Sequence, residues 1–167
     1  MVLNPVQYFL KRYHSSELKP KELKRMLNLW FPFLVNRISI VSISEDFQQM
    51  DVRLKFSFWN RNPNKSIWGG SITSAMDPFF PILLKQVLLN KGIETDFYSQ
   101  AINVQFLKMV KTDVKFHFKI NGSEIGLAIK EITDTGKYSG WHSVEGLSET
   151  KEVCVKGRVQ VFLRKRV

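Results

Sequence analysis

The sequence holds a single cysteine, Cys154, which excludes an internal disulfide and a thiolate metal cluster. Its three histidines, His14, His117 and His142, are scattered without metal-ligand spacing, so a metal-free chain is expected. No apolar run approaches the ~18 residues of a membrane span, and no basic segment precedes an apolar one after Met1. A cytoplasmic protein, neither secreted nor transmembrane, is expected. Only 9 Gly and 6 Pro occur, with no biased run or internal repeat, which excludes collagen-like, disordered and solenoid architectures. Equally missing are the Gly-x-Ser-x-Gly nucleophile elbow, the Gly-x-x-x-x-Gly-Lys phosphate loop and a Cys-His pair placed for nucleophilic catalysis.

What is present is enough apolar material, 44% of residues, for one compact domain over 1–167. Cations outnumber carboxylates by 25 to 15, a formal charge of +10. That excess speaks of partners rather than fold, and three anion classes fit it: nucleic acid, an acidic membrane surface, or a phosphorylated small molecule such as coenzyme A or a phosphopantetheine carrier.

Apolar residues from Asn4 to about Val35 fall at helical spacing: Val6, Phe9, Leu10 and Tyr13, then Leu23, Met26, Leu27, Trp30 and Phe31 after Lys19-Pro20. Residues 1–35 thus read as an N-terminal helical extension. Its cationic face, which includes Lys11, Arg12, Lys21 and Lys24, is either solvated or rests on a membrane. After Pro32 the period becomes two. Ile38 and Ile40, then Val52, Leu54, Phe56 and Phe58, predict two strands with one buried face, joined by a turn at Ser44-Glu45-Asp46. A polar loop, 60–66, leads to an apolar stretch from Ile72 to Leu89, which predicts a buried helix of about five turns. Further strands follow around Ile102–Phe106, Val114–Ile120 and Val153–Leu163, with a helix after a Ser123 N-cap. One buried helix among so many strands predicts an α+β antiparallel sheet wrapped around a long central helix, with extra N-terminal helices.

The unusual chemistry lies between Asn60 and Pro81. Gly69-Gly70 precedes the apolar helix, so the first helical amides point outward unpaired, with the positive end of the dipole behind them. On an unbroken helix Asp77 returns to within ~20° of the face of Gly70, ~10 Å along the axis. An unpaired buried carboxylate is costly, which disfavours accident. The structural alternatives are a pairing with Arg or a cap on Pro78-Phe79-Phe80. Pro78 and Pro81 are expected to kink the helix and to leave the carbonyls of Ser74 and Asp77 without their usual donors. His117, opposite buried phenylalanines, reads as a solvent-face residue, and Cys154, among valines, as an inert strand residue.

The stretch Trp59-Asn60-Arg61-Asn62, Trp68-Gly69-Gly70-Ser71, Ala75-Met76-Asp77-Pro78-Phe79 and, downstream, Ala101-Ile102-Asn103-Val104-Gln105-Phe106-Leu107 resembles an uncharacterised bacterial family of the hotdog-fold thioesterase superfamily. More distantly it resembles the phenylacetyl-CoA-type acyl-CoA thioesterases. The resemblance covers roughly Phe33 to Val110. It implies a hotdog fold and hydrolysis of an acyl thioester, with the Gly70 amide polarising the carbonyl, Asp77 as general base or nucleophile across a dimer interface, and Asn62 orienting water. Trp68, Gly69, Ser71 and Ser74 would bind substrate. No cofactor is implied beyond the coenzyme A or phosphopantetheine moiety of the substrate. The implied partners are an acyl thioester or acyl carrier protein and further copies of the chain, as a homodimer or dimer of dimers. Where the thioesterases usually have His-Gly-Gly, this chain has Trp68-Gly69-Gly70, without an imidazole near the carbonyl. Two rival readings remain: a hotdog module that binds acyl-CoA or an acyl carrier without turnover, and nucleic-acid binding through Lys55 to Arg61. The alternation at 55–61 is better explained by a strand with one buried aromatic face, so nucleic acid is not the expected partner.

Overall fold

The computed structural model describes residues 18–166. The helix expected around Val6 to Tyr13 lies outside them. Helix α1 (Pro20–Asn28) opens with proline in its first turn, and Glu22 reaches back to accept from the Lys19 amide at 2.9 Å. It buries Leu23 and Leu27 on one face. The short helix α2 (Phe31–Asn36) ends at Arg37, which takes a left-handed φ of 62°. Six strands follow in chain order, β1 (Ile38–Ile43), β2 (Gln49–Leu54), β3 (Thr95–Phe106), β4 (Val114–Lys119), β5 (Lys137–Leu147) and β6 (Val153–Lys165). They form one sheet in the order β1-β2-β4-β5-β6-β3, every pair antiparallel. At one margin Asn28 imitates a further strand, since its side chain accepts from the Ile40 amide at 2.7 Å and donates to the Ile40 carbonyl at 3.1 Å. β3 forms the opposite margin.

The central apolar segment is broken rather than continuous. Helix α3 (Gly69–Ser74) stops before Pro78, and helix α4 (Phe79–Leu89) restarts beyond it. The proline supplies no amide for the turn before it. The Asp77 carbonyl, which Pro81 deprives of its i+4 donor, accepts from Ser99 Oγ on β3 at 2.9 Å. Pro81 falls in the first turn of α4, where its missing amide costs little. All of α4 is buried, and the sheet, α2 and helix α5 (Gly122–Thr135) surround it. By length and composition Gly69–Leu89 is apolar enough to cross a membrane, contrary to the expectation from sequence, yet 78% of that window is buried inside this fold.

Two further expectations need correction, and one element was not anticipated. β2 ends at Leu54 because the Phe56 amide turns to Asp113 Oδ1 at 2.9 Å, and Phe58 lies in a 3-10 turn, Phe58–Asn60. Asn121, not Ser123, caps α5, its side chain accepting from the Glu124 amide at 2.9 Å. The segment 137–147, to which no element was assigned from sequence, is the strand β5. Exposed His117, 2.7 Å from Asp51 Oδ1, and buried Cys154 sit as expected.

β5 also carries a buried polar chain. His142, 2% exposed, stacks on Phe80 and bonds Glu124 Oε1 through Nδ1 at 2.9 Å and the Tyr138 hydroxyl through Nε2 at 3.2 Å. Tyr138 reaches it by lying across Gly140, whose missing side chain leaves the space. Burial holds the His142 pKa below its usual value, although the Glu124 charge and hydrogen bond pull the other way. Burial, then the charges of Glu124 and Glu131, push Tyr138 up to about 12. A histidine whose folded pKa is depressed gives stability that is complete above its unfolded value and is lost as pH falls below it. Urea denaturation of the parent should therefore show stability declining below pH ~6.5, and His142→Gln should flatten that decline.

Candidate active site

The loop before α3 is held by Asn60, 3% exposed. Its Nδ2 donates to the carbonyls of Asn36 (3.1 Å) and Lys55 (2.9 Å), while its Oδ1 accepts from the Ser57 amide at 3.0 Å. Its carbonyl accepts from the Trp68 amide at 2.7 Å. Its side chain ties the end of α2 to the segment leaving β2, and its backbone carbonyl holds the start of α3. Asn62, the expected water-orienting residue, spends its Oδ1 on the Ser66 amide and hydroxyl, both at 3.1 Å. That oxygen shapes the 62–66 turn and only the Asn62 amide nitrogen remains for other use. Nothing in the sequence separated the two asparagines, since burial alone distinguishes them.

At the start of α3 the Trp68 carbonyl accepts from the Ser71 amide at 3.0 Å and the Ile72 amide at 3.3 Å. The amides of Gly69 and Gly70 precede any intrahelical acceptor and stay available to an oxyanion. α3 has six residues, so its aligned dipole is smaller than that of the long helix expected from sequence. The two free amides carry the site's positive character. The glycines are hemmed by aromatics: a Cβ on Gly69 would lie 3.2 Å from the Phe106 ring, and one on Gly70 would strike the Trp68 indole. The indole itself is 59% exposed.

Asp77 lies in the break between the helices and is half-buried, not buried as the sequence suggested. The break removes the continuous helical phase that related it to Gly70, so the ~20° argument no longer applies. Its backbone is anchored by Ser99 on β3, as Gly69 is packed by Phe106 at the far end of that strand. Both candidate groups therefore lie beside the open edge of the sheet. Neither structural alternative is found among the described residues: no Arg pairs with the Asp77 carboxylate, and α4 has no side-chain cap. Ser71 is withdrawn from the site, 1% exposed, its hydroxyl donating to Asn36 Oδ1 at 2.8 Å. Ser74 is half-buried on the last turn of α3. Among the described residues no group of three His, Cys, Asp or Glu could hold a metal.

Two clefts, of about 440 and 480 Å³, lie on the outer face of β3, β6 and β5. Asn103, Ser143 and Arg158 line the first, and Tyr98, Phe162 and Arg164 the second. Neither reaches Gly70 or Asp77. The orphan amides and the unpaired carboxylate lie apart from both clefts, at the start of α3 and in the helix break.

An antiparallel sheet curled about a central helix, with orphan amides at that helix's start, defines the hotdog class. The chain belongs to the family described as domain of unknown function (DUF4442), whose model matches residues 20–162. Among solved structures it is similar to a Chlorobaculum tepidum protein of unknown function, at 13% identity and TM-score 0.76, covering 91% of this chain and 100% of that one. A thioesterase from Haemophilus influenzae matches at 14% identity and TM-score 0.65, covering 87% and 90% of the two chains. The PaaI protein of the Escherichia coli phenylacetic acid degradation operon matches at 15% and 0.62, covering 88% and 92%. No curated protein matches the sequence significantly.

Two outcomes test the local geometry. Asn60→Ala strands the backbone groups of Asn36, Lys55 and Ser57 that its side chain satisfies and should cost ~2–4 kcal/mol in urea denaturation. Gly70→Ala should leave stability within ~0.5 kcal/mol, because the exposed indole can swing away. With Trp30, Trp59 and Trp141 replaced by Phe, iodide should then quench Trp68 more strongly than in the Gly70 parent.

Proposed function

We propose that this protein is a thioesterase, hydrolysing an acyl thioester of coenzyme A or of carrier-bound phosphopantetheine. The observation that carries the reading is the pairing of an unpartnered, half-buried carboxylate, Asp77, with two orphan amides, Gly69 and Gly70, along one open sheet edge. Asp77 takes a proton from water, whose oxygen attacks the thioester carbon. The developing oxyanion is met by the Gly70 amide, a type of contact worth ~3–4 kcal/mol per well-placed donor. Collapse of the tetrahedral intermediate breaks the C–S bond, and the proton held by Asp77 passes to the departing thiolate. The Asn62 amide nitrogen would orient the water, and Trp68, Gly69 and Ser74 would flank the acyl chain.

In this reading the second wall of the site comes from another copy of the chain. Support comes from β3, twelve residues at the sheet margin with half-exposed Ile102 and Val104 and exposed Phe106, positioned to pair edge to edge. Light scattering should then give at least twice the 19.5 kDa chain mass. The rival, an acyl-thioester binder without turnover, is favoured by one observation: the Trp68 indole stands over Gly70, in the position where the thioesterases that the sequence resembles usually have a histidine.

A panel of short, long and aryl acyl-CoA thioesters separates the two, with free thiol as the readout. Asp77→Asn should lower hydrolysis at least ~100-fold with an unchanged melting temperature, since its carboxylate holds no partner among the described residues. Binding without thiol release across the panel establishes the rival instead.

A further inference from the structure

Two segments meeting at one end of the molecule expose large apolar side chains. At the α1–α2 junction Leu29 is 69% and Phe31 73% exposed, with Trp30 and Leu34 close to half. In the 3-10 turn Phe58 and Trp59 reach 79% and 77%. These form one surface, because α2 packs on the turn and Asn60 Nδ2 donates to the Asn36 carbonyl at 3.1 Å. A lone exposed leucine needs no explanation, but six large apolar side chains gathered on one tip mark an interaction site.

The charge of the surrounding chain selects the occupant. From Leu23 to Ser44 the sequence carries Lys24, Arg25 and Arg37 and no carboxylate. From Val52 to Met76 it carries Arg53, Lys55, Arg61 and Lys65, again with none. Asp113 neutralises Arg53 from the β4 side, and Arg61 lies 5.9 Å from the centre of the Phe58 ring. Aromatic and aliphatic tips among Lys and Arg are the chemistry of a headgroup boundary. A second copy fits less well. Packed on itself about a two-fold axis, this face would set Lys24, Arg25, Arg37, Lys55 and Arg61 of one copy against those of the other, with Asp113 already committed to Arg53. The open edge β3 lies at the opposite end of the strand order from β1, against which α1 and α2 pack.

We propose that this tip docks the protein on an anionic lipid surface, with Phe31, Phe58 and Trp59 entering the headgroup region and the neighbouring cations meeting lipid phosphates. The inference does not rest on the thioesterase reading, and its test involves no turnover. The full chain is sedimented with vesicles of phosphatidylcholine and with vesicles containing equal parts of phosphatidylglycerol. Partition to the anionic vesicles should be at least ~10-fold stronger and should weaken with added salt. Phe31→Ser with Trp59→Ser, at positions three-quarters exposed, should keep the circular dichroism of the parent and lose at least ~10-fold in partition. Arg25→Glu with Lys55→Glu should lose as much. Equal partition to both vesicles, no partition by the parent, or unaffected variants overturns the proposal. A fall in molar mass of the Phe31→Ser, Trp59→Ser variant, without vesicle affinity in the parent, assigns the tip to a contact between copies and overturns it equally.

Discussion

Helix α4 has no polar face, and that constraint organises the molecule. All of its residues from Phe79 to Leu89 are buried, Lys85 and Gln86 included. Burial, aided by the Arg166 charge, pulls the Lys85 pKa down to about 8. A helix of this composition is stable only if enclosed on every side, and a flat sheet covers one. The curl of six antiparallel strands, the return of α5 along the sheet and the insertion of Phe33 against Phe79 are the enclosure. The polar loop and the helix break are displaced to the rim, where water and ligands can reach them.

The strands that were legible in the sequence are those whose inward positions are apolar. β4 alternates Val114, Phe116 and Phe118 with Lys115, His117 and Lys119, and its burial alternates in the same phase. β5 has the same geometry, yet its inward positions are Tyr138, Gly140, His142, Val144 and Gly146. Two glycines and a histidine erase the hydrophobic period. They are there for packing: Gly140 makes room for the Tyr138 ring, and at Gly146 a side chain would strike Val155 and Phe116. The sequence signal was spent on close approach rather than on hydrophobicity.

The candidate site was legible in outline and misread in detail. Pro78 announced the kink, and Gly69-Gly70 announced the helix start with its free amides. What sequence could not supply was exposure, which left Asp77 half-buried, drew Ser71 inward to Asn36 and assigned the structural asparagine to Asn60 rather than Asn62. Each outcome depends on contacts with segments more than twenty residues away or on which side of a turn faces the core. A local pattern carries neither. Asp77 and the Gly69-Gly70 amides both line the margin of the sheet, at different points along β3.

Met76 and Gly157 show how closely the broken helix rides on the sheet. The Met76 methyl occupies the place where a β-carbon on residue 157 would stand, in the row formed by Val104, Gly157 and Val144. Met76 is wholly buried, so a side chain at 157 would have to displace its methyl within the core. The two positions share one volume, so a change at one presses on the other. A relative that carries alanine or serine at 157 is expected to carry a shorter residue 76, and one that keeps the long side chain to keep the glycine. Descent should therefore have left a covarying pair across the helix break, recording the distance between helix and sheet in sequence even where neither residue touches the chemistry.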